Sequence, residues 1–145
     1  MEKILSVGEY DLLNFFEMIP SHLDPGVAWT YNDSVYEAAD AHVHLSFAIA
    51  PVVRDVRVVL KVGDAPVYEV DAMGIKDVKY HNDKGRESLD VILSDRDSIW
   101  LRIKPIPILH LAVGMLRLVV HVSMAGSYSS TELLGVSLAV KPPIT

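Results

Sequence analysis

The chain has 145 residues, no cysteine and a net charge of −6. This length fits one ordinary domain, so we expect residues 1–145 to form a single domain. The absence of cysteine excludes disulfides and cysteine-based nucleophiles or metal sites, and the negative charge disfavours binding to nucleic acid.

All of the net negative charge lies in the first third of the chain. Before Arg54 there are eight acidic residues and one basic residue, Lys3, whereas from Arg54 onward eleven acidic residues are balanced by twelve basic ones. Such an asymmetry raises the rate of association with an oppositely charged partner. We therefore expect a basic protein as the partner.

The N-terminus does not resemble a secretory signal. Glu9 and Asp11 interrupt the apolar stretch that such a signal requires. The longest uncharged apolar run, residues 105–116, contains two prolines and a histidine, and it is shorter than the about 20 residues that cross a bilayer. We expect a soluble, cytoplasmic protein that does not bind membranes.

The first predicted element is a short helix. Ser6 and Glu9 have capping-box spacing, and Pro20 is expected to end the helix. One apolar stripe should face the core, and it consists of Leu12, Leu13, Phe16 and Ile19.

From residue 27 onward the hydrophobic period changes to two, which is typical of half-buried antiparallel strands. The alternating segments are residues 27–31, 43–49, 56–62, 99–103, 116–122 and 134–140, with further strands predicted at 67–71, 78–81 and 89–93. Residues 63–66 and 82–85 carry hairpin-turn chemistry. We predict a mainly β fold, an antiparallel β-sandwich or open barrel of about eight or nine strands with one N-terminal helix. The alternative is an α+β fold, a single curved sheet with the helix across one face.

His42 and His44 are the clearest candidates for metal ligands. Residues at i and i+2 on a strand point the same way, about 6–7 Å apart, and a third ligand could come from His81, His110, His121 or an acid. Short matches of this kind are usually coincidental. We therefore favour two histidines on a solvated strand face and no bound metal or cofactor, and keep a metal-dependent enzyme as the lesser alternative.

Other catalytic patterns are weak. The sequence has no Gly-x-Ser-x-Gly motif and no glycine-rich phosphate loop. Residues 127–131 are expected to form a polar loop, and Asp95 and Asp97 a charged turn before a strand. We predict that the protein is not an enzyme.

Basic and aromatic residues share strand faces at two places, and their positions are Arg57 with Lys61 and Trp100 with Arg102 and Lys104. Such faces can stack single-stranded bases. Acidic residues are interspersed here, however, so we interpret these side chains as amphipathic cover on the outer faces of the sheet.

Tyrosines lie among the acids of the first third, an arrangement typical of interface anchors within a charged rim. The predicted partner-binding residues are Glu9, Tyr10, Asp11, Glu17, Asp24, Tyr31, Asp33, Tyr36, Glu37 and Asp40. This pattern favours a non-enzymatic binding module, an acidic inhibitor comparable in general physique to bacterial immunity proteins and antitoxins, which occludes a basic partner. The alternative is a structural or assembly subunit, including a homo-oligomer, because the hydrophobic fraction of 50% is high for a soluble chain.

Overall fold

The computed structural model describes residues 4–39, 42–103, 108–113, 116–123 and 135–141, with side chains described as far as residue 103 and at 109, 111 and 112. Its helical elements are the α-helix α1 (Glu9–Phe16) and two 3-10 helices, η1 (Trp29–Tyr31) and η2 (Pro51–Val53). Its strands are β1 (Ser21–His22), β2 (Ser34–Ala39), β3 (Val43–Ala50), β4 (Asp55–Val62), β5 (Ala65–Ala72), β6 (Asp77–Asp83), β7 (Arg86–Ile92), β8 (Ser98–Arg102), β9 (Ile108–Val113), β10 (Leu116–Ser123) and β11 (Gly135–Lys141). None of the helices in these ranges is long and apolar enough to cross a membrane.

The strands form two antiparallel meanders. One sheet has the order β1-β2-β3-β4-β5, and the other runs from β6 to β11 in sequence order. Alternate residues of both sheets point into one shared core, among them Leu45, Phe47, Val58 and Leu60 from the first and Leu89, Val91, Ile99 and Leu101 from the second. The predicted antiparallel β-sandwich is confirmed, and within the described residues the sheets do not close into a barrel.

Helix α1 lies beside the six-stranded sheet and covers the inner face of the other one. The Val7 amide donates to the Val78 carbonyl at 2.9 Å, so the segment before the helix runs along the edge of β6. Phe16 stacks on Tyr36 with ring centroids 5.2 Å apart and also contacts Phe47 at 5.7 Å. The helix thereby fills the core beneath β2 and β3.

The predicted helix is present at the expected place, but the residues predicted to begin and end it are wrong. Gly8 is the N-cap residue, and its amide donates to the Asp11 carboxylate at 2.9 Å. Ser6 instead donates from its amide to Asp77 at 2.7 Å. Glu17 adopts a left-handed conformation (φ 53°) that ends the helix before Ile19, which is 83% exposed rather than part of the inward stripe.

Two parts of the strand prediction are wrong. Residues 27–31 form a turn and η1, whereas β1, β2 and β9 were not predicted. Both predicted hairpins are present, between β4 and β5 and between β6 and β7. The second has positive φ at Lys84 (53°) and Gly85 (87°), as a type I′ turn requires. The predicted polar loop at 127–131 lies outside the described residues.

We expect Phe16→Ala to lower the free energy of unfolding by about 3–5 kcal/mol, because the ring is buried against three other aromatic rings. Urea denaturation measures this difference. The matched control is Ile19→Ala, an exposed position at which the change should stay within about 0.5 kcal/mol. Equal effects of the two substitutions would contradict the placement of the helix.

Candidate protein-binding surface

Three connections meet at one end of the five-stranded sheet. They are residues 23–33 before β2, η2 between β3 and β4, and residues 73–76 after β5. The antiparallel pairing brings the start of β2 beside the end of β3, and the start of β4 beside the end of β5. Moreover, η1 and η2 contact each other, and the Ile75 amide donates to the Arg54 carbonyl at 3.0 Å.

Most of the large exposed apolar side chains among the described residues lie at this end. We call it the η1–η2 surface, and its exposed apolar residues are Leu23, Val27, Tyr31, Val52, Val53 and Met73. Tyr31 is 63% exposed and Met73 83%. Among side chains described from residue 77 onward, no large hydrophobic one is exposed. Monomeric proteins rarely cluster exposed apolar groups in this way without a binding role.

The loop that carries Tyr31 is held by one buried amide. The Asn32 side chain is 4% exposed, and its Oδ1 accepts from the amides of Asp24 (3.1 Å) and Asp33 (2.9 Å). Its Nδ2 donates to the carbonyls of Asp24 (2.6 Å) and Val27 (2.9 Å). The amide thus uses both of its donors and accepts two hydrogen bonds, which fixes the loop before any partner arrives.

The η1 part of this loop is fixed to the core through Tyr36. Trp29 donates from Nε1 to the Tyr36 hydroxyl at 2.9 Å. Burial raises the pKa of Tyr36 to about 12, and the nearby Glu9 carboxylate acts in the same direction. Tyr36 is fully buried, so its predicted role as a partner contact is wrong. It supports the surface from beneath.

Acidic groups line the side of the surface that continues onto the outer face of the sheet. Asp33 forms an ion pair with Arg57. Burial and the neighbouring Asp71 carboxylate raise the pKa of Asp55. Asp24 is exposed and accepts from the Gly26 amide at 3.1 Å. Arg57 is thus paired with Asp33 and lies opposite Asp71 on the neighbouring strand.

The remaining predicted partner residues do not all join this surface. Glu9, Tyr10 and Asp11 lie on α1 and not on the three connections, and Asp11 caps the helix. Glu17 is exposed at the end of α1. Glu37 is exposed on β2, with its Oε2 3.7 Å from Nε2 of His44. Asp40 lies outside the described residues.

No described residues form a group of three or more His, Asp or Glu that could hold a metal ion. His42 is exposed before β3, and His44 is half-buried on that strand. A contact that was not predicted from the sequence joins His22 Nδ1 and the Ser34 hydroxyl, which are 2.7 Å apart. Ser34 is fully buried, so its hydroxyl is not accessible to a substrate.

The basic and aromatic residues behave as cover on the sheets. The Arg102 guanidinium lies 5.0 Å from the centre of the Trp100 ring, a cation–π contact between neighbours on one strand face. Lys61 is half-buried on β4, and Lys104 lies outside the described residues. The predicted charged turn lies between β7 and β8, where Asp95 forms an ion pair with Lys76.

Comparisons with protein-family models, curated proteins and solved structures found no match. Sequence reasoning found Tyr31, Asp24 and Asp33 but missed Val52, Val53 and Met73. Their sequence signal is weak, because they are single apolar residues in short connections that only the strand pairing brings together.

Asn32→Ala should destabilise the protein by about 1–3 kcal/mol, because it removes a buried side chain that satisfies four backbone groups. Urea denaturation gives the stability, and amide exchange of residues 24–33 should accelerate at the same time. Asn14→Ala, on the exposed face of α1, serves as the control and should change stability by no more than about 0.5 kcal/mol. Unchanged exchange in the loop would show that the amide does not hold it.

Proposed function

We propose that the chain is a non-enzymatic protein-binding module whose η1–η2 surface occludes a basic partner protein. The observation that carries this proposal is that exposed apolar side chains and excess acidic charge occur in the same part of the chain. The large exposed apolar side chains of the described residues all lie between residues 10 and 73, and the excess acidic charge lies before residue 54. Apolar anchors within a charged rim are what a specific interface requires.

The geometry suits a binding surface that is rigid before contact. Asn32 and the bond from Trp29 to Tyr36 hold the loop around Tyr31, so little conformational entropy is lost when a partner binds. Tyr31 offers a large ring with few rotatable bonds, and Val53 and Met73 are further exposed apolar side chains on the other two connections at this end of the sheet. We infer that Tyr31 is the central anchor of the contact.

The acidic charge raises the association rate and the selectivity for basic partners, and it contributes less to the affinity. Asp24 is exposed on this surface, and the first third of the chain supplies a net charge of −7. Such a field accelerates the approach of a basic protein and disfavours acidic ones. A cytoplasmic inhibitor comparable to immunity proteins and antitoxins would act in this way, by covering the basic site of a toxin.

The test is capture of partners from the native host by the immobilised full chain, at low and high salt. We expect one basic protein to be retained and then released as salt rises, because exposed charges are screened within about 8–10 Å. Tyr31→Ala and Asp24→Lys should each weaken retention by at least about tenfold, the size of a contact worth about 1.4 kcal/mol.

Two matched variants control the test. Tyr10→Ala removes a tyrosine on α1 that is more exposed than Tyr31, and Asp64→Lys reverses a charge in the β4–β5 turn at the opposite end of the sheet. Both should bind as the unaltered protein does. Loss of retention with Tyr10→Ala but not with Tyr31→Ala would place the contact on α1 instead, and salt-independent retention would contradict the electrostatic part.

A second candidate is an assembly subunit, favoured by the edge strand β5. In the described part of the chain this eight-residue strand pairs only with β4, and a free edge can pair with another chain. However, the edge carries Pro66, Glu69 and a bulge near Lys61, which are devices that oppose such pairing. Light scattering decides the matter: a salt-independent oligomer would support assembly, and a monomer the binding module.

A further inference from the structure

Asp24 and Tyr31 are held at neighbouring points of the loop before β2. The Asn32 side chain binds both the N–H and the C=O of Asp24, at 3.1 and 2.6 Å. Tyr31 directly precedes Asn32 and is the last residue of η1, where its amide donates to the Ala28 carbonyl at 3.0 Å. One buried amide therefore fixes the backbone that carries an exposed carboxylate and the backbone that carries an exposed aromatic ring.

The two carboxylates of this loop differ in how their charge is neutralised. Asp33 forms an ion pair with the guanidinium of Arg57, which comes from β4. Asp24 forms no ion pair with any described residue, and its Oδ1 accepts from the Gly26 amide at 3.1 Å. This hydrogen bond restrains the orientation of the carboxylate. The loop therefore presents to solvent an oriented carboxylate whose counter-charge is absent from the described part of the chain.

A guanidinium suits this pair of groups better than an ammonium does. Its planar fork matches a carboxylate of restrained orientation, and its flat face stacks on an aromatic ring. An ammonium is a compact, strongly hydrated point charge that gains less from either feature. The chain itself contains both interactions. The Arg102 guanidinium lies 5.0 Å from the centre of the Trp100 ring, and the Arg57 guanidinium pairs with the Asp33 carboxylate.

We propose that Asp24 and Tyr31 form a recognition site for an arginine side chain of the basic partner protein, with the carboxylate as the acceptor and the ring as the stacking face. This inference rests on the proposed function, because it names the partner group that the η1–η2 surface selects. It adds a preference for arginine over lysine, which the net charge of the surface alone does not produce. Tyr31 and Asp24 thereby act together on one side chain of the partner.

The test is titration of the full chain with N-acetylargininamide and N-acetyllysinamide, two probes of equal charge, followed by amide chemical shifts at constant ionic strength. We expect the arginine probe to shift the amides of Asp24, Gly26 and Tyr31 most. Its dissociation constant should be about two- to fivefold below that of the lysine probe, the size of one exposed stacking contact. Asp24→Asn should weaken binding of both probes, because it removes the charge and keeps the shape. Tyr31→Leu should abolish the preference for arginine, because it removes the ring and keeps an apolar side chain.

Asp64→Asn and Tyr10→Leu are the matched controls, in the β4–β5 turn and on α1, and both should bind the probes as the unaltered chain does. Equal dissociation constants for the two probes, or no saturable shift in the loop, would overturn the inference. Shifts centred on another exposed carboxylate, such as Glu37 or Asp95, would also overturn it.

The probes need no partner protein, so the arginine site and the proposed function can fail separately. A preference for arginine in the loop with no captured protein would remove the proposed function alone. Salt-dependent capture together with equal binding of the two probes would remove the arginine site alone.

Discussion

Tyr36 is the residue on which the rest of this structure depends. Its ring is fully buried and stacks on Phe16, which ties α1 to the inner face of the five-stranded sheet. Its hydroxyl accepts from Trp29 and so ties η1 to the same place. A buried hydroxyl left without a partner would cost about 1–3 kcal/mol, so core and surface loop stabilise each other. The proposed anchor Tyr31 is held in position two residues from that contact.

Hydrophobic alternation predicted most strands because the two sheets expose one face each. It failed where side chains offer the backbone other hydrogen bonds. Residues 27–31 alternate, yet Asn32 takes up the carbonyls of Asp24 and Val27 and bends the chain into a turn. Strand β2 was not predicted because Ser34 occupies an inward position, where its hydroxyl interrupts the apolar pattern although the residue is fully buried.

The candidate surface could be predicted only in part. The charge asymmetry is a property of the sequence, and Tyr31 stands out as an aromatic residue among acids. The other exposed apolar residues of this surface come from connections some 20 and 40 residues further along the chain, and they lie at the same end of the sheet because a meander places alternate connections there. Tyr36 was predicted to contact the partner, but it is buried. The sequence could not distinguish it from Tyr31, because both are tyrosines near aspartate or glutamate.

The η1–η2 surface has one physical constraint, which is a shortage of positive charge that is not already paired within the chain. Arg57 pairs with Asp33, and Arg54 donates to backbone carbonyls. Burial and the neighbouring Asp71 carboxylate raise the pKa of Asp55. A lysine or arginine of a basic partner would relieve this repulsion, so the proposed partner would bind best where the protein lacks a cation of its own.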